Sequence, residues 1–405
     1  MDKNTGPRET STPSHPLTDP TTSMNAIIWH SKKDVRYVKK PKPCLTDPRD
    51  VIIKVTATSI CGSDLHLYSN ATKGMKDGDI LGHEFMGIVE DVGNDVKKIS
   101  KGARVVVAFD IACGFCEFCK REEYTACDTT NPSKMMQEMY GHQSAALFGY
   151  SHLTGGIPGG QAEYVRVPFA DINCLPLPDD IPDQKALYLS DIIPTAYHGT
   201  EMANVKEGST VAIWGLGPVG LLVARWCQIR KAGSIIGIEC EPDRIKLARD
   251  HLGITVINFK EKDVCKTLLE IFPTGVDCSI ECAGFEYASS LLHKVERAIG
   301  LESDTADIFQ QMFFCTRKFG NVSILGVYIG YANHFPVGMM MEKGLKVQGS
   351  QSPTQKYWKM NMEKVRSGEF DPSFVVTTQG KLSDAPELYK KFSNKDEVVK
   401  VFLRP

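Results

Sequence analysis

The chain has no uninterrupted apolar run of membrane-spanning length. The nearest, TVAIWGLGPVGLLVARWC at 210–227, is punctuated by glycines and carries charge near its end. An excess of one sign of charge is missing too. The 47 Lys and Arg set against 49 Asp and Glu leave a net charge of −2. That balance gives no basic footprint for nucleic acid and no acidic tail. The opening MDKNTGPRETSTPSHPLTDPTTS lacks the apolar core of a secretory signal, and its acidic residues argue against a transit peptide. Residues 1–23 therefore read as a disordered leader, with folding expected from Met24 and a cytoplasmic location. No internal repeat is present.

What the chain does have is length, cysteine and glycine. Its 405 residues favour two domains, and 42% apolar with 24% charged residues is a globular balance. Of thirteen cysteines, four crowd into CGFCEFCKREEYTAC at 113–127. A disulfide staple, a redox relay and a metal knot are all open to such spacing. A reducing compartment and an odd cysteine total both disfavour the staple. Cys113, Cys116, Cys119 and Cys127 instead suit a closed tetrahedral zinc site, with sulfur about 2.3 Å from the ion and no position left for substrate. Such a knot is structural, so the chemistry is expected elsewhere.

From Met24 to about Asp110 the chain reads as β-rich: DVIIKVTATSI, EFMGIVEDVG and ARVVVAFDI are strand-like runs. From about Ile193 strands and helices alternate, which implies parallel βαβ units. GLGPVG at 215–220 follows the strand STVAIW and opens a helix. Gly215 permits a tight turn, Gly217 lets backbone approach a diphosphate, and Gly220 allows helix and strand to pack closely. The next strand ends at Glu239, where a carboxylate can accept a ribose 2′-hydroxyl and repel a 2′-phosphate, favouring NAD over NADP. A solvated turn glutamate is the plainer reading of the same residue.

CGSDLH supplies Cys61, Ser63, Asp64 and His66, and GHE supplies His83 and Glu84. Singly, each is an ordinary buried thiol or structural histidine. In order with the four-cysteine knot and GLGPVG, they make the chain resemble the zinc-dependent alcohol dehydrogenases of the medium-chain dehydrogenase/reductase superfamily, from Met24 to the end. LSDIIPTAYHG and GGQAEYVRVPFAD are similar to the glutathione-independent formaldehyde dehydrogenase branch.

That resemblance implies an α/β protein: a GroES-like β-rich catalytic domain over 24–192, a Rossmann NAD-binding domain over 193–343, and a return to the first domain over 344–405. It implies two Zn2+ per chain and NAD. Cys61, His83 and Asp191 would be catalytic-zinc ligands, Asp191 standing where most relatives have cysteine; a helix N-cap is the alternative reading of Asp191. Asp64 would hold the second nitrogen of His83. Ser63 and His66 would relay the substrate proton, and Glu84 would lie behind the ion. Thr195 and Val219 would pack on the nicotinamide, Lys400 would pair with the diphosphate, and Pro218 and Arg244 would complete the cofactor set. Phe109 would wall the substrate pocket. A solvated Lys400, a surface His66 and a core Phe109 stay open.

Two segments depart from the family pattern. The Met- and Gly-rich residues 135–160 suit either a pocket wall or a surface loop. Residues 294–320 resemble an extra helix pair that covers cofactor or meets another subunit. The function expected is NAD-linked, zinc-dependent interconversion of a primary alcohol or hydrated aldehyde with its carbonyl product, on a small-molecule substrate, in a homodimer or homotetramer. A larger specialised substrate, or a non-catalytic cofactor-binding or structural protein on the same fold, are the alternatives.

Overall fold

The computed structural model describes residues 17–69, 74–284, 306–329 and 332–405. Among these, no helix is long and apolar enough to cross a membrane. The first strand runs Thr18–Ser31 and pairs antiparallel with Asp34–Pro43, Thr18 opposite Pro43. Order thus begins before Met24, where the leader was expected to end. The cause is local: the Asp19 carboxylate accepts from the Thr21 amide (2.8 Å), the Thr21 hydroxyl (2.6 Å) and the Thr22 hydroxyl (2.7 Å). This Asx-type turn is absorbed as a register shift between Asp19 and Ser23. Residues 1–16 lie outside the described residues.

The chain divides into two compact units, one running to Pro194 and resuming at Ser352, the other spanning Thr195–Gln351. In the first, Val51–Thr58 lies inside a seven-stranded, mainly antiparallel sheet, between Phe85–Val92 and the last strand, Lys400–Arg404. Val51, Ile53, Val55, Phe85, Val105 and Val165 meet in one of its apolar clusters. Val51–Ile53 and Lys400–Leu403 are buried at every residue, so the sheet is covered on both faces there, and only Lys54 and Thr56 of Val51–Thr58 reach towards solvent.

The second unit is a parallel six-stranded sheet. Taken in chain order, Thr210–Trp214, Ser234–Glu239, Thr255–Asn258, Val276–Glu281, Thr316–Ile324 and Lys346–Gly349 lie in the spatial order 3-2-1-4-5-6. This is the Rossmann arrangement. Its inner strands are apolar on both faces, with Val211, Ala212 and Ile213 fully buried, as helix-covered parallel strands require. The sixth strand carries this unit past residue 343, the boundary expected from sequence, because Lys346–Gly349 still pairs with Asn321–Ile324. In the segment 294–320, Asp307–Cys315 is a helix packed on the sheet. The remainder of the extra helix pair, up to residue 305, lies outside the described residues.

Candidate active site and metal centres

Antiparallel pairing of Val51–Thr58 with Phe85–Val92 sets Thr58 opposite Phe85. The residues just after the first strand and just before the second must then converge, which brings Cys61 to His83 and Glu84. Asp191 joins them at the junction between a 3₁₀ turn, Leu187–Ser190, and the helix Ile192–Met202. The turn is pinned by the Phe109 amide donating to the Ser190 carbonyl (3.1 Å). Ligand atoms of Cys61, His83, Glu84 and Asp191 all lie within 4.8 Å of one another.

Asp64 organises two members of this group. At the third position of the helix Gly62–Tyr68, one oxygen accepts the Cys61 amide (2.9 Å) and the other lies 3.1 Å from His83 Nδ1. That leaves His83 Nε2 facing Asp191 Oδ2 at 3.5 Å and the Ser63 hydroxyl at 3.3 Å. Burial works to lower the His83 pKa, yet Asp64, Asp191 and Cys61 together hold it well above the usual imidazole value. Such a pocket demands positive charge. A thiolate, an imidazole and a carboxylate converging in an anionic, buried pocket fit zinc, and the thiolate and carboxylate would balance its two charges.

Ser63 and His66 sit one turn apart on the same short helix, with His66 buried. Phe109 is edge-on to the His83 ring, with centroids 6.5 Å apart. Tyr150 does the same at 6.1 Å and donates from its hydroxyl to the Ser63 carbonyl (3.5 Å). Sequence singled out only the segment 135–160; the structure puts one of its side chains against His83. Lys400 differs from expectation. It is fully buried with its ammonium 2.6 Å from Glu84 Oε1, so the charge expected at a diphosphate is committed to a carboxylate.

The cysteine lobe forms the second cluster. Cys113 Sγ lies 3.8 Å from Cys119 Sγ, and Cys116 Sγ lies 4.0 Å from Cys127 Sγ. Four sulfurs about 2.3 Å from one ion stand about 3.8 Å apart on the edges of a tetrahedron, whereas a disulfide needs about 2.05 Å. The Phe115 and Cys116 amides donate to Cys113 Sγ at 3.4 and 3.3 Å. Hydrogen bonds from Cys119 and Cys127 pull the Cys113 thiol down, while contact with Cys113 pushes the Cys127 thiol up to about 12. Four thiolates so close need a cation to ionise together.

In the parallel-sheet unit, the turn after Trp214 has the geometry its glycines demand. Gly215 has φ +88°, and a Cβ on Gly220 would lie 1.9 Å from the Gly215 carbonyl oxygen. Gly217 caps the helix Pro218–Ile229, with Pro218 and Val219 as its first residues. Thr195 opens this unit within the helix Ile192–Met202. Glu239 is buried, not solvated. It accepts from the amides of Leu216 (3.0 Å), Cys240 (2.8 Å) and Glu241 (3.2 Å), and from Arg244 Nη1 (3.3 Å). Arg244 also covers Gly217, whose Cβ would lie 3.8 Å from the guanidinium.

Comparison with known proteins agrees with this geometry. The alcohol dehydrogenase GroES-like domain family matches residues 47–179. A zinc-type alcohol dehydrogenase-like protein of Schizosaccharomyces pombe is 49% identical, covering 99% of this chain and 96% of its own. The glutathione-independent formaldehyde dehydrogenase of Pseudomonas aeruginosa is 31% identical, with 90% and 94% covered. The solved alcohol dehydrogenase of Thermus sp. ATN1 superposes with a TM-score of 0.81 at 30% identity, covering 94% of this chain and 99% of that one. The two-unit architecture and this identity along nearly the whole chain make it a member of the zinc-type alcohol dehydrogenase family of the medium-chain dehydrogenase/reductase superfamily.

Proposed function

We propose that the protein oxidises a small primary alcohol or hydrated aldehyde, or reduces the matching carbonyl, with NAD as hydride carrier and two zinc ions per chain. The observation that carries this reading is the convergence of Cys61, His83 and Asp191, with a carboxylate as third ligand, as the formaldehyde dehydrogenase resemblance implies. When bound, zinc supplies an electrophile that acidifies a substrate hydroxyl, and NAD supplies the acceptor for hydride.

The chain's own residues do the rest. Asp64 fixes the tautomer and direction of His83. The Ser63 hydroxyl receives the substrate proton and passes it towards His66. The Phe109 and Tyr150 rings exclude water and bulk beside His83. Glu239 favours a free ribose 2′-hydroxyl over a 2′-phosphate, and the amides at the start of Pro218–Ile229 receive the diphosphate. Cys113, Cys116, Cys119 and Cys127 hold the structural ion. A cytoplasmic dimer or tetramer completes the proposal.

A screen following NADH absorbance in both directions tests it. Turnover of formaldehyde and short primary alcohols in preference to bulky ones supports the reading. Turnover of bulky alcohols alone transfers it to a larger specialised substrate, and no turnover by zinc-loaded protein sinks it.

A further inference from the structure

Glu281 closes the strand Val276–Glu281 with no exposed surface. In the sheet it stands between Trp214, which leads into the glycine turn, and Ile324 of the next strand. One carboxylate oxygen accepts the amides of Ala283 (2.6 Å) and Gly284 (2.5 Å), and the other accepts the amide of Gly326 (2.8 Å). One side chain therefore ties the loop after its own strand to the loop after its neighbour. The fit leaves no slack. A Cβ on Gly326 would lie 2.5 Å from Glu281 Oε2 and 2.5 Å from the Gly284 amide, and a Cβ on Gly215 would lie 3.0 Å from Ala283 Cα. The clamped loop thus also backs the glycine turn.

A buried carboxylate is a costly way to end a strand that an apolar residue could close. Burial raises its pKa, and the amides of Gly284, Gly326 and Ala283 draw it back. What those donors secure is the shape of two loops at the carboxyl ends of the strands, where open parallel sheets receive ligands. Glu239, on the far side of the glycine-turn strand, marks the adenosine half. The loops held by Glu281 lie on the other side.

We propose that Glu281 is a positioning residue, clamping residues 282–284 and 325–327 in the shape that receives the nicotinamide half of the dinucleotide. The proposal rests on the NAD reading above. The test uses full-length, zinc-loaded protein, with NADH binding followed by its fluorescence and ADP-ribose, which lacks nicotinamide, as competitor.

In Glu281→Gln an acceptor oxygen becomes an amide that opposes the peptide N–H groups. NADH affinity should fall about tenfold or more, while ADP-ribose affinity stays within about twofold of the parent. The emission peak of bound NADH should move back towards that of free NADH. Equal weakening of both ligands would mean general loosening and overturn the proposal, as would no change in either. Should Glu281→Gln fail to fold, Gly326→Ala carries the same test by driving a methyl between the clamp and Gly284; parent-like NADH binding in that variant overturns it. A parent protein that binds ADP-ribose and NADH not at all refutes the NAD reading itself, an outcome separate from any split between the two ligands.

Discussion

Lys400 Nζ and Glu84 Oε1 lie 2.6 Å apart, with neither side chain exposed. Burial disfavours the ammonium, but Cys61, Glu84 and Asp191 hold its pKa above the usual lysine value. The last strand of the chain thus delivers a fixed positive charge beside the group formed by Cys61, His83, Glu84 and Asp191. This charge restrains Glu84, whose ligand oxygen belongs to the same 4.8 Å group as Cys61, His83 and Asp191.

Breaking that pair should cost stability more than cofactor affinity. Lys400→Met leaves a buried carboxylate uncompensated, and urea unfolding should show a loss of about 3–5 kcal/mol. The double variant with Glu84→Gln should recover most of it. Were Lys400 a diphosphate ligand instead, Lys400→Met would unfold like the parent and bind NADH weakly.

Metal content separates the two cysteine-containing centres. Zinc analysis of the parent should return two ions per chain, and Cys61→Ala or Asp191→Ala should return one with the fold retained. Cys116→Ser should lose the other ion and destabilise the lobe. Asp191→Cys should keep both. A thiolate donates more electron density than a carboxylate, so the pH midpoint of turnover in that variant should move upward; an unmoved midpoint refutes tuning by Asp191.

Asp110 provides a pH signature. It is fully buried, with Gln355 Nε2 3.3 Å from its backbone carbonyl. Burial, with a smaller push from Asp191, raises its pKa from 3.8 to about 7, and Gln355 draws the carboxyl only partly back. A carboxyl raised in the folded state stabilises it fully below the unfolded value, and this contribution is lost as pH rises through the folded value. Asp110→Asn should therefore gain on the parent between pH 4 and 8, by up to about 4 kcal/mol. A pH-independent difference between the two unfolding curves would show that the carboxyl ionises normally.

Much of this was legible in the sequence because some residues report geometry directly. The spacing of Gly215, Gly217 and Gly220 encodes a turn that only glycine permits, and four cysteines in fifteen positions fold into one compact thiol cluster. CGSDLH places Asp64 three residues after Cys61, the interval at which a helix-start carboxylate reaches back to the capping amide. Lys400 was misread for want of one inference: a lysine inside the apolar run VVKVFL is buried with its strand and must find a carboxylate. Tyr150 had no such signal. Its place beside His83 depends on how a long, weakly patterned segment folds back, and no periodicity reports that. The leader was misjudged at its end because Asp19, Thr21 and Thr22 read as disorder by composition yet close a turn by hydrogen bonding.

Tyr150 leads to the sharpest test of substrate size. Its ring stands at 77° to the His83 ring and Phe109 at 75°, so two aromatic edges crowd the histidine. Tyr150 is buried and packs in one cluster with Phe109, Leu147 and the partly buried Leu65. Replacing it with alanine removes a wall beside His83 and leaves Cys61, His83 and Asp191 themselves unchanged. For a site shaped around a small substrate, Tyr150→Ala should lower kcat/KM for formaldehyde and ethanol about tenfold, through lost packing worth about 1–3 kcal/mol. It should raise kcat/KM for benzyl alcohol, with zinc content unchanged. If the parent already prefers benzyl alcohol and the variant loses activity on every substrate, Tyr150 is a contact for a large ligand, and the small-substrate reading falls.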